Sequence, residues 1–169
     1  MMDSELRELV DSVLRSYSVY YDVEECDEGD LVARAGFHSR GEKYLLTRSV
    51  NLWSVEDHEY VFIYAGDVLV PDVMEREIQT SSETGLSMIK PISEHRSSMI
   101  TTILIYRKID ERCANFIKRY REHRDFGLML RGWMDHRVVA LETSTSTIVS
   151  NRADRDVAGN LGSMVGLTR

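Results

Sequence analysis

Leu6, Leu9, Val10, Val13 and Leu14 recur at three- and four-residue spacing, which places their side chains on one face of a helix, and Tyr17 extends the row. Ser4, just ahead of them, can cap that helix. The period then changes. Val19, Tyr21 and Val23 alternate with Asp22 and Glu24, which predicts a half-buried strand. A turn follows at 27–30, where Gly29 lies among acids. Leu31, Ala33, Ala35 and Phe37 next share one strand face, with Arg34 and His38 on the other. "SRGE" at 39–42 reads as a turn, and "KYLLTRSVNLW" as a third strand.

The middle of the chain loses its alternation. "YVFIYA" at 60–65 is apolar throughout, as a strand covered on both faces should be, and Gly66-Asp67 should close it. Pro71 suits the first turn of a helix with Met74, Ile78 and Met88-Ile89 on its buried side. "TSSETG" at 80–85 weakens that helix and predicts a break in it. After Pro91, "SSMITTILIY" at 97–106 is rich in β-branched residues and predicts a second central strand, about 99–106. Asp110 can cap a helix whose inner stripe is Cys113, Phe116, Ile117 and Tyr120. "FGLMLRGW", "VVALE" and "TIVSN" read as strands, with a solvated hairpin end near 143–147. Asn151 and Asp154 precede a short terminal stripe of Val157, Leu161, Met164 and Val165.

These elements predict one α+β domain over residues 1–169, with 166–169 outside its packed part. Its sheet should be mixed and mostly antiparallel, with three to four helices. The α-β-β-β-α-β order resembles the PD-(D/E)xK nucleases, the family of many restriction enzymes and junction resolvases. That resemblance implies an acid on one strand and an acid-x-Lys on the next, holding a divalent metal beside the attacking water. Here Glu42 and Lys43 are adjacent, "LVARAGF" carries no acid, and Glu59 has no lysine beside it. The catalytic pattern is therefore missing. Residues 127–153, with "FHSRGEKY", are similar to a group of small uncharacterised prokaryotic domains, a likeness that implies no activity.

Composition narrows the class. The net charge of −7 is unevenly placed: residues 1–30 hold ten acids against Arg7 and Arg15. A duplex-binding face needs cations to displace counterions, so nucleic acid is disfavoured. The uncharged run at 97–106 is half of the ~20 residues needed to span a bilayer, so no membrane segment is expected. Cys26 and Cys113 form neither a disulfide framework nor a zinc spacing, which predicts a cytoplasmic protein with reduced thiols.

Four of the five histidines directly follow an acid: Asp57-His58, Glu94-His95, Glu122-His123 and Asp135-His136. Adjacent residues point to opposite strand faces, so these dipeptides predict surface histidines rather than paired chemistry. "MDHR" at 134–137 reads as a structural turn, with His136 facing solvent. Lys118, Arg119, Arg121 and Arg124 crowd the end of one helix, where they complement its dipole or bind an anionic partner. No cofactor or metal is expected. The leading reading is a module that binds a protein or self-associates, with the acidic 22–30 segment meeting the basic 118–124 segment across the two-fold axis of a dimer. The rival is a divergent metal-dependent hydrolase drawing on His38, Glu59, Asp67 or Asp135.

Overall fold

The computed structural model describes residues 2–39, 56–89, 95–128, 130–154 and 156–166. The predicted "KYLLTRSVNLW" strand, with Glu42 and Lys43, lies outside them. The first helix, α1 (Ser4–Tyr17), is capped by Asp3 rather than Ser4, the Asp3 carboxylate accepting from the Leu6 amide at 2.8 Å. It buries Leu6, Val10, Val13, Leu14 and Tyr17, the predicted stripe. Residues 18–20 then turn the chain, the Tyr21 amide donating to the Tyr17 carbonyl. Val19 and Tyr20 are therefore exposed and outside the strand expected to begin there.

Strands β1 (Asp22–Glu28), β2 (Leu31–Ser39) and β3 (Glu56–Leu69) pair antiparallel in sequence order. Helix α2 (Pro71–Met88) carries the chain back to β4 (His95–Ile109), parallel to β3. Helix α3 (Glu111–Arg119) then leads by way of β5 (His123–Asp125) to β6 (Trp133–Glu142), parallel to β4. β5 and β7 (Thr147–Ser150) both pair antiparallel with β6, and α4 (Val157–Met164) ends the fold. Among the described residues the sheet has seven strands in the order β1-β2-β3-β4-β6-β5, with β7 also on β6.

Two crossovers that advance the same way through a sheet and share the right-handed preference put both helices on one face. Accordingly α2 and α3 cover one core, built on Tyr60, Phe62, Ile100, Leu104 and Val138. α1 and α4 cover the other, built on Val61, Ile63, Ile103, Ile105 and Val139. The domain is α+β, with four helices and a mixed, mostly antiparallel sheet among the described residues, and the two runs expected to be central are its central strands. No described helix is long and apolar enough to cross a membrane.

Three local expectations fail for identifiable reasons. β3 continues through Gly66 and Asp67 to Leu69, because β4 supplies partners as far as Ile109. "FGLMLRGW" is mostly turn: Gly127 and Leu128 have φ of 57° and 55°, the left-handed region, which no strand adopts. The exposed Leu128 and Leu130 follow from that turn. Finally, α2 does not break at "TSSETG". Ser81 and Ser82 are buried with hydrogen-bond partners, and Gly85 lets the helix lie close to β4, since a Cβ there would stand 2.6 Å from Ile100 Cδ1.

Gly85→Ala should therefore destabilise the fold by about 1–3 kcal/mol in chemical denaturation, although alanine is the better helix former. In amide exchange, residues 60–65 and 99–106 should be the slowest, and 22–28 on the edge strand faster.

Candidate functional site

The stretch "MDHR" is not a turn. It lies within β6, and His136 is fully buried on the α2–α3 face. Pairing with β4 on one side and with β5 on the other fixes it there. Its Nε2 lies 2.8 Å from Thr102 Oγ1, and its Nδ1 lies 2.9 Å from the Tyr120 hydroxyl and 3.3 Å from Glu122 Oε2. Glu122 Oε2 also accepts from the Tyr120 hydroxyl at 2.8 Å and from Ser82 Oγ at 2.6 Å. Arg124 donates to Oε1 at 3.2 Å. One neutral tautomer, with the proton on Nδ1, satisfies every contact: Thr102 donates to Nε2, the imidazole donates to Tyr120, and Tyr120 donates to Glu122.

The register between β5 and β6 relates two of the acid–histidine dipeptides, Glu122-His123 and Asp135-His136. His123 is paired with Asp135, and the His136 amide donates to the Glu122 carbonyl at 3.1 Å. Neighbours in each dipeptide face opposite ways, so the acids exchange partners between strands. Glu122 reaches His136 on the buried face. Asp135 reaches His123 on the other face, with Oδ1 2.6 Å from Nδ1, while Asp125 lies 3.0 Å from the opposite ring nitrogen. His123 also stacks on Trp133. Asp135 and then Asp125 raise the His123 pKa above its ordinary value, whereas the contact with His136, then those with Ser82, Tyr120 and Arg124, hold the Glu122 carboxyl well below the carboxylate range against the opposing effect of burial.

Above this network lies a groove of about 550 Å³ between α2 and α3. Ile78, Leu86 and Phe116 form its apolar part, and Ser82, Tyr120, Glu122 and Arg124 its polar end. Phe116 is 37% exposed although the sequence places it on the inner stripe, because the short α3 buries only Cys113 and Ile117. Lys118, Arg119, Arg121 and Arg124 are exposed, and of the four Arg124 lines the groove. Lys118 and Arg119 close the last turn of α3, where cations complement the helix dipole. Among the described residues, of the four only Arg124 makes an ion pair, with Glu122.

The residues proposed for a hydrolase do not converge. Glu59 and Asp67 lie eight residues apart on β3, about 26 Å at ~3.3 Å per residue. Glu59 accepts from the Tyr21 hydroxyl at 2.6 Å and from Thr101 Oγ1 at 3.0 Å, with Arg137 3.6 Å away. Asp67 pairs with Arg107, whose hydrogen bond lowers its pKa. Asp135 is the partner of His123, two strands from Glu59 with Met99 between. The backbone of His38 pairs with His58 at the far end of β2. Among the described residues no three His, Cys, Asp or Glu side chains are grouped to hold a metal ion.

The fold and this groove define an α+β domain with a buried histidine–carboxylate network beneath a groove whose charged lining is Glu75, Glu83, Glu122 and Arg124. Residues 5–162 match the model of a family described as a domain of unknown function, DUF8052, and the chain belongs to that family. The likeness to uncharacterised domains seen in the sequence agrees with this. No curated protein and no solved structure matches the chain.

His136→Ala should cost about 2–4 kcal/mol in denaturant unfolding, because it opens a cavity and leaves Thr102 without its ring partner. Exposed His123→Ala should cost well under ~1 kcal/mol. Since the folded pKa of Glu122 is depressed, the stability it supplies is present above the unfolded value of 4.5 and lost as pH falls below it. Glu122→Gln should therefore be less stable than wild type near neutrality, and the gap should narrow in acid melts.

Proposed function

We propose that this protein is a binding and self-assembling module of the reducing cytoplasm, whose partner is a second copy of the chain. The observation that carries this reading is the opposite charge of the two sides of its sheet. β1 forms one edge, and its Asp22, Glu24, Glu25, Asp27 and Glu28 are exposed. Among the described residues, only Glu28 of these makes an ion pair, with Arg34. The other end of the sheet is β5, bordered by Lys118, Arg119, Arg121 and Arg124. Complementary potentials of this kind steer association and fix register.

The groove supports the same reading. The exposed ring of Phe116 and the half-buried ring of Tyr120, with centroids 5.8 Å apart, offer aromatic anchors of the sort enriched where protein surfaces meet. The polar network beneath is internally satisfied: Glu122 has donors on both oxygens and His136 has partners on both nitrogens. It is suited to holding the groove walls rigid. The free thiols Cys26 and Cys113, on different elements, fit a reducing compartment.

Light scattering at low salt should report a species heavier than the monomer. It should dissociate as salt approaches ~1 M, where charges are screened within about 3 Å. Lys118→Glu with Arg121→Glu should give a monomer, as should Glu24→Lys with Glu25→Lys, and mixing the two variants should restore association. A wild-type monomer at low salt and micromolar concentration contradicts the proposal.

A further inference from the structure

Glu77, 3% exposed, faces the sheet from α2, and Tyr106, 1% exposed, faces α2 from β4. The Tyr106 hydroxyl lies 2.6 Å from Glu77 Oε1 and 3.0 Å from Asp30 Oδ2. A phenol carries one proton and an ionised carboxylate carries none. Two hydrogen bonds among three oxygens need two protons, so one carboxyl must hold the second.

The surroundings decide which. Among the described residues, Glu77 Oε2 is buried without a hydrogen-bond partner. A carbonyl oxygen tolerates that position far better than half of an ionised carboxylate, whose charge would be left uncompensated. Asp30 is only half-buried and lines a cleft of about 740 Å³ between α1 and the β1–β2 turn. The other groups around Glu77 do not neutralise it. Asp30 repels its charge, and Arg76 attracts it without making an ion pair among the described residues. On β3, Tyr64 shares its hydroxyl with Ser81. On β2, Arg34 is engaged with Glu28. Burial, opposed by the Tyr106 hydrogen bond and assisted by Asp30, pushes the Glu77 carboxyl up to about 8.

We propose that Glu77, Tyr106 and Asp30 form a buried one-proton site that seats α2 on the sheet and reaches solvent through the Asp30 cleft. The proton resides on Glu77, which donates to Tyr106, and Tyr106 donates to ionised Asp30. Gly66 keeps the ring in line: a Cβ there would stand 2.6 Å from Tyr106 Cε1. Alkali removes the proton and sets two carboxylates against one donor. α2 also carries Ile78, Ser82 and Leu86 of the groove, so its seating and the groove's shape respond together.

The folded chain keeps this proton above the 4.5 at which an ordinary glutamate loses it. Stability is therefore complete below that pH and is lost as pH rises toward about 8. The experiment is a carbon-13 carboxyl titration of the wild-type protein, with denaturant melts of wild type, Glu77→Gln and Asp30→Asn between about pH 5 and pH 8. The Glu77 carbon should stay unshifted through about pH 6. The folding constant of wild type relative to Glu77→Gln should fall at least about tenfold over that range, one factor of ten for each unit separating the folded and unfolded values. A Glu77 carbon that titrates near 4.5, parallel stability profiles of wild type and Glu77→Gln, or a slope that Glu77→Gln retains and Asp30→Asn removes would each overturn the proposal. If Glu77→Gln does not fold, the wild-type titration decides it alone.

Discussion

A buried polar group must find a partner, and the seating of α2 depends on that requirement. The buried positions of this helix are Met74, Glu77, Ile78, Ser81, Ser82 and Gly85, so only Met74 and Ile78 bring bulky apolar side chains. The remaining positions meet the sheet through hydrogen bonds or close backbone approach. Glu77 meets Tyr106, Ser81 meets Tyr64, Ser82 meets Glu122, and the Tyr60 hydroxyl donates to the Met88 carbonyl. Each such bond contributes only about 0.5–1.5 kcal/mol net, but an orphaned buried partner costs more. Removing one side of such a pin therefore loosens the helix by more than the bond itself contributes.

The pins also connect the two ends of the α2–α3 layer. One links α2 to Tyr106 and the Asp30 turn; the other links it to Glu122, and through Glu122 to Tyr120, His136 and Thr102. Asn151 closes the second by accepting from the Val138 amide and donating to the carbonyls of His136 and Tyr120. α2, the end of α3, and β4 to β7 thus share one hydrogen-bonded frame beneath the groove. A surface of this kind is preorganised, which lowers the ordering cost of binding.

Apolar periodicity made much of this fold legible. The strand at 60–65 reads as buried because both its faces are apolar, the one at 97–106 as central because it is rich in β-branched residues, and α1 as a helix because its stripe is aliphatic. α2 was misjudged because its buried face is polar: "TSSETG" looks like a helix breaker until Ser81, Ser82 and Gly85 are seen against the sheet. The histidines failed for a related reason. A dipeptide shows which residues are neighbours along the chain, whereas the Glu122–His136 and Asp135–His123 pairs are made by antiparallel register between β5 and β6. Tyr120 was visible as part of an apolar stripe, but its hydroxyl's role was not. Thr102 and Ser82 gave no signal, since a hydroxyl within a β-branched run or a helix has no pattern of its own.

Native-state amide exchange of a Tyr106→Phe and Ser82→Ala double variant tests the pinning of α2 most directly. With these two pins removed, amides between residues 77 and 86 should exchange much faster than in wild type, while those of α1 and β6 keep their protection. Unchanged exchange in α2, or acceleration spread evenly over the sheet and all helices, would contradict the account.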